Sequence, residues 1–264
     1  MSSLPVANVT DRRRQLNDAQ WLQAMGIDPF WIEGPADQRF APTVATAEAK
    51  AASRSGSQVT EAAALSVSVG QPTREDINSW ATLETTIREC RACGLCQGRK
   101  QAVPGSGDRQ ATWLMVGEAP GAEEDAAGQP FVGKAGKLLD AMLAALDLNR
   151  QAGVYIANAV KCRPPENRTP ERAEIDACNH FLNQQIEQIQ PEVIVALGKP
   201  AAYAVLGQEA SIQSLRGSIH VRAQGGRQIP VIVSYHPAYL LRQPEEKWKS
   251  WQDLLLAQSA LGNP

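Results

Sequence analysis

The chain contains no stretch approaching the ~20 consecutive apolar residues that a membrane-spanning helix needs, so a transmembrane segment is not expected. Met1 to Arg14 carries no apolar core of the kind found in a secretory leader, which points to the cytoplasm. Charge of either sign is not in excess, with 26 Lys+Arg against 28 Asp+Glu. That balance excludes attraction to a polyanion by the chain as a whole, and any such binding must come from a local basic face. Aromatics make up only 5% of the residues, and there are just three histidines, at 180, 220 and 236. Imidazole chemistry therefore has few candidates, and His180, inside a predicted helix, reads as structural. Five cysteines in a chain without a leader suggest metal or redox chemistry more than disulfides.

Residues 41–70 hold nine alanines and five serines, no aromatic and no sustained apolar stripe. Such a stretch buries too little surface to offset its ordering entropy, so residues 36–78 read as a flexible linker. Within residues 1–35, Trp21, Leu22, Met25, Ile27, Phe30 and Trp31 form an amphipathic segment too short to fold alone. It either packs back on the main domain or lays its apolar face in a partner's groove. Leu22 to Ile27 with Trp31 resembles the N-terminal peptide of a bacterial clamp-loader subunit, which implies a partner in the replication machinery.

From Trp80 onward, strand-like and helix-like runs alternate. Strands are expected at 112–116, 154–157, 192–197 and 229–234, and helices at 79–90, 134–147, 170–189, 199–206 and 246–261. Thr169 reads as an N-cap with Pro170 at the first helical position, and Gly207 as a stop. This alternation predicts one domain over 79–264, an α/β fold of three layers with a central, mostly parallel four-stranded sheet.

Two polar motifs follow strand-like runs: Gly117-Glu118-Ala119-Pro120-Gly121 and His236-Pro237-Ala238-Tyr239-Leu240. Loops at the carboxyl ends of neighbouring parallel strands form the crevice where open α/β sheets bind ligands. Gly128-x4-Gly133-Lys134 imitates a phosphate-binding loop, but Ala135 stands where a hydroxyl should meet Mg²⁺, and Gln129-Pro130-Phe131 is no strand. Cys90-x2-Cys93 is followed by Cys96, then by Cys162 and Cys178. By spacing alone, zinc and an iron–sulfur cluster suit these thiols equally, and buried structural cysteines remain an alternative. Cys93-x2-Cys96 is as good a pair as Cys90-x2-Cys93.

Taken together with Gln129 to Gly136, Asn158 to Pro165 and His236 to Arg242, these motifs resemble the family-4 uracil-DNA glycosylases over roughly residues 83–260. The resemblance implies the uracil-DNA glycosylase fold, DNA as partner, and hydrolysis of the bond between uracil and deoxyribose; a monomer is expected. It also implies a [4Fe–4S] cluster on Cys90, Cys93, Cys162 and Cys178, with Cys96 left over. Phe131 would stack on a uracil flipped from the duplex, and Asn158 would read its O4 and N3–H edge. His236 would stabilise the negative charge that develops near O2. Glu118 would hold the attacking water or stabilise the cationic sugar; Ala119 stands where family-1 enzymes carry an aspartate. Leu240 would fill the vacated stack, flanked by Leu241 and Arg242. Backbone contacts are expected from Lys134, Lys161, Arg163, Arg168 and Arg242.

Each residue also has an ordinary reading. Leu240 and Phe131 could be core, Asn158 a turn residue, Glu118 a loop carboxylate. The alternative for the whole chain is a DNA-binding or scaffold protein that kept fold and cluster but lost catalysis.

Overall fold

A computed structural model describes residues 79–262. The readings of residues 1–35 and 36–78 therefore lie outside the described residues. The elements run α1 (Trp80–Glu89), β1 (Ser106–Gly107), β2 (Trp113–Gly117), α2 (Ala122–Ala127), α3 (Lys134–Ala144), β3 (Val154–Asn158) and α4 (Arg172–Ile189). They continue with β4 (Val193–Leu197), α5 (Lys199–Leu206), α6 (Ile212–Leu215), β5 (Ile219–Gln224), β6 (Arg227–Ser234), α7 (Pro237–Arg242) and α8 (Lys247–Leu261).

The four expected strands form the middle of the sheet, ordered β3-β2-β4-β6 and all parallel. Every residue of β2, β3 and β4 is buried, which is why they read as continuous apolar runs rather than alternating ones. Leu114, Val116, Tyr155 and Ile194 face a layer with Leu83, Ile87, Phe181, Leu182 and Ala201, from α1, α4 and α5. Trp113, Met115, Ile156 and Val195 face Leu139, Met142, Trp251 and Leu254, from α3 and α8. Helices thus cover both faces, giving the three layers expected.

Two edge strands were not expected. β1 pairs antiparallel with β3, and β5 pairs antiparallel with β6, making six strands in all. β5 alternates between exposed and half-buried residues, so no apolar run announces it. The Thr169 cap reading is also revised. α4 begins at Arg172, with Glu171 at its cap and Glu174 accepting from the Glu171 N–H at 2.7 Å. The stop at Gly207 holds, with a left-handed φ of 69° that glycine adopts without steric cost.

Candidate active site

β2 lies between β3 and β4, so the chain leaves its carboxyl end at the point where the strand order reverses. Gly117 closes β2 and sits in register with Asn158, the last residue of β3. A β-carbon at Gly117 would come within 2.4 Å of Asn158 Oδ1 and 2.6 Å of the Phe131 ring. The missing side chain is what lets an amide and an aromatic ring converge there. Asn158 is 2% exposed, and its Oδ1 has no hydrogen-bond partner. A buried acceptor left unpaired costs about 1–3 kcal/mol, a cost that a donor entering beside it would relieve.

Phe131 is buried and stacks on His236, with ring centroids 5.4 Å apart and planes inclined by 27°. His236 closes the loop after β6 and caps α7, its Nδ1 accepting from the Ala238 N–H at 3.1 Å. That bond places the proton of a neutral imidazole on Nε2. Burial, followed by the nearby Arg242 charge, pushes the His236 pKa down to about 4. At neutral pH the ring is therefore an uncharged donor through Nε2–H. Glu118 is half-buried beside the Thr169 hydroxyl and Arg242; burial raises its pKa, against the opposing effect of those two neighbours. Thr169, read from sequence as a helix cap, lies beside Glu118 instead.

Two positioning residues escaped sequence reasoning. Arg150 donates from Nη1 to the Pro130 carbonyl (2.9 Å) and from Nη2 to those of Phe131 (2.6 Å) and Gly136 (3.3 Å). Glu124 accepts from the N–H groups of Val132 (2.9 Å) and Gly133 (3.0 Å) on the other side of the same loop. Glu124 stands at the third position of a helix cap with Gly121, accepting from its N–H at 3.1 Å, but nothing in the sequence places its other oxygen, or Arg150, against the Phe131 loop.

Three expectations are revised. Leu240 is 1% exposed, in the apolar layer with Leu139 and Trp251, while Leu241 beside it is 44% exposed. The cause is α7: His236-Pro237 starts a helix rather than a loop, and helical periodicity turns position 240 inward and 241 outward. Lys161 is 1% exposed and cannot touch a DNA backbone; its Nζ donates to Asn158 O (2.9 Å) and Gln185 Oε1 (2.6 Å). Arg168 is exposed but already pairs with both carboxylate oxygens of Glu174, at 2.7 and 2.9 Å, so a phosphate would compete with that carboxylate for it. Lys134 and Arg242 are exposed as expected, and Arg163 is half-buried, donating to Asn167 Oδ1 at 2.7 Å.

Cys90, Cys93, Cys96, Cys162 and Cys178 line one cavity with Lys161 and Phe181. Among the described residues, no group of three or more His, Cys, Asp or Glu side chains is arranged to hold a metal ion. Arg99 donates to Cys162 Sγ at 2.8 Å and to the carbonyls of Arg88 and Cys90. Burial raises the pKa of Cys162 and pushes that of Cys178 up to about 12. The same burial brings Lys161 down to about 8, opposed by Cys178 and Cys162.

The family model of the uracil DNA glycosylase superfamily matches residues 104–255. A type-4 uracil-DNA glycosylase of Pyrobaculum aerophilum is 43% identical over 178 residues, covering 66% of this chain and 90% of the relative. One of Thermotoga maritima is 46% identical over 171 residues, covering 64% and 86%. A type-5 uracil-DNA glycosylase of Thermus thermophilus is 34% identical over 191 residues, covering 58% and 85%. The strand ends that carry Gly117, Asn158 and His236 all fall inside the matched region, and the chain belongs to the uracil-DNA glycosylase superfamily.

Proposed function

We propose that this protein removes uracil from DNA, hydrolysing the glycosidic bond and leaving an abasic site. The observation that carries the reading is the unpaired Oδ1 of buried Asn158, set beside Phe131 in the space Gly117 leaves open. An acceptor there suits the N3–H of uracil, and the amide N–H₂ suits O4. Cytosine presents an acceptor and a donor at those two places, so buried polar groups would face like groups, a mismatch that gives large discrimination. The base must first leave the duplex, at a cost of a few kcal/mol. Phe131 then offers a face to stack on. As the bond breaks, negative charge gathers on the base near O2, where His236 donates from Nε2 without carrying charge of its own. Glu118 orients water or stabilises the cationic sugar.

The cysteines and their surroundings fit a [4Fe–4S] cluster. Four thiolates on such a cluster leave an anionic assembly, and two cations are already in place. Arg99 reaches Cys162 Sγ, and Lys161 is buried beside Cys162 and Cys178 with only neutral hydrogen-bond acceptors for its ammonium. Cys90, Cys93, Cys162 and Cys178 would hold the group. Bound there, it would tie the end of α1 to the loop after β3 and to α4. Cys96 lines the same cavity as the spare thiol. We further assign the protein to the cytoplasm as a monomer, with residues 1–35 docking on a replication partner.

The test is an end-labelled oligonucleotide with one uracil, incubated with protein and then treated with alkali. Cleavage at the uracil that falls by at least about 10²-fold in His236→Ala is expected, the scale seen when one oxyanion donor is removed. No cleavage by intact protein would favour the non-catalytic DNA-binding alternative.

Leu241 takes the wedge role first given to Leu240. Leu241→Ala should slow excision from duplex about tenfold or more while sparing a single-stranded substrate, which has no stack to fill. Leu240→Ala should instead lower stability by about 2–5 kcal/mol, as core truncations do. Equal losses on both substrates for Leu241→Ala would remove it from the flipping step.

A further inference from the structure

With Lys161 buried and Arg168 paired to Glu174, the expected DNA face is reduced to Lys134, Arg163 and Arg242, which leaves room for further backbone contacts elsewhere. One hollow is a candidate. Beside the cysteine cavity, Arg88, Arg91, Arg99 and Lys100 line a depression of about 400 Å³ together with Cys96 and Gln101, and no carboxylate contributes to its wall. Arg88, Arg91 and Lys100 are exposed, and among the described residues none of their side chains is in an ion pair. Arg99 is the fixed floor, held by Cys162 Sγ and by the carbonyls of Arg88 and Cys90. Four cations around one depression repel each other until an anion enters, and guanidinium forks match phosphoryl oxygens in geometry.

The hollow is joined to the site by rigid contacts. The Lys100 N–H donates to both oxygens of buried Asp125 on α2, at 2.9 and 3.1 Å. The Gln101 amide donates to the Ala126 carbonyl at 2.7 Å. The Val103 N–H donates to the carbonyl of Lys161, three residues past Asn158. The basic segment therefore rests on α2, which follows the Gly117–Gly121 loop, and on the loop that leaves β3.

We infer that this hollow is a phosphate-binding site, and that it grips a backbone phosphodiester of the DNA whose uracil enters the pocket. The inference rests on the glycosylase reading. Its ligand chemistry, a tetrahedral phosphoryl anion, is shared by free phosphate, so both sources are probed. Arg91→Gln/Lys100→Gln in the full chain removes two charges at exposed positions, and an unchanged thermal midpoint verifies the fold. Fluorescence anisotropy with a duplex carrying a non-hydrolysable deoxyuridine analogue is followed across KCl concentrations.

Each phosphate neutralised contributes about −0.9 to the slope of log K against log salt. The double variant should bind about tenfold more weakly at ~0.1 M KCl, with a slope shallower by about one. Arg91→Lys/Lys100→Arg should keep the native slope. Unchanged affinity and slope would overturn the site. A deficit seen only when inorganic phosphate is the calorimetric probe and absent with DNA would overturn the grip on DNA. Native excision of uracil, measured on the same preparation, separates the two levels. Excision with an unchanged slope removes this site alone, whereas no excision removes the reading beneath it.

Discussion

Gly117→Ala should abolish uracil excision, lowering kcat/KM about 10³-fold or more, while the protein remains folded. The added methyl meets Asn158 Oδ1 at 2.4 Å and Phe131 Cε2 and Cζ at 2.6 Å, distances that van der Waals radii do not permit. Either the amide or the ring must move, and each is half of the base pocket. Overpacking of this kind costs about 1–3 kcal/mol in stability, which a domain of ordinary stability survives. A 10³-fold loss corresponds to about 4 kcal/mol of transition-state stabilisation. Catalysis should therefore fall by more than stability does. Steady-state excision and a thermal melt on one preparation decide it. Activity within tenfold of native would mean that the base does not lie between Asn158 and Phe131.

That prediction shows what sequence can and cannot carry. The pairing of Gly117 with Asn158 follows from two buried apolar strands, each ending in a polar motif, and both strands were legible because burial on both faces removes alternation. β5 was not, since an edge strand reading Ile-His-Val-Arg-Ala-Gln owes its place to pairing with β6 rather than to its own hydropathy. α7 did leave a sign: Pro237 at a first helical position, immediately after a capping residue, marks a helix start. Without that helix start, position 240 would lie on a loop and turn outward. The charges failed for a different reason. Lys161 and Arg168 stand in a basic-looking run, and nothing local reports that Gln185 or Glu174 will claim them from α4. The cysteines separate in the same way. Spacing proposes a ligand set, but that all five thiols line one cavity is a fact of the fold.

Arg150→Met should lower kcat/KM about 10²-fold through the backbone of Phe131. That residue holds a φ of 53°, a conformation costing about 1–3 kcal/mol for a bulky side chain, and it persists only where its surroundings impose it. Arg150 imposes it from one side, donating to the carbonyls of Pro130, Phe131 and Gly136, while Asp140 pairs with its Nε. Glu124 imposes it from the other, through the N–H groups of Val132 and Gly133. Gly136 completes the arrangement, because a β-carbon there would fall 1.8 Å from the Phe131 carbonyl oxygen. Methionine keeps the apolar stem of Arg150 and loses every donor, so the loop should relax toward an ordinary φ and carry the ring out of register with His236. A misplacement of about 1 Å suffices for a loss of that size. Lysine, with one ammonium, satisfies fewer carbonyls and should fall between. A general loss of stability would also slow the enzyme, and a double-mutant cycle separates the causes. If Arg150 acts by placing Phe131, adding Arg150→Met to Phe131→Ala should cost little more than Phe131→Ala alone. Fully additive losses would show that Arg150 supports the fold and not the stacking surface.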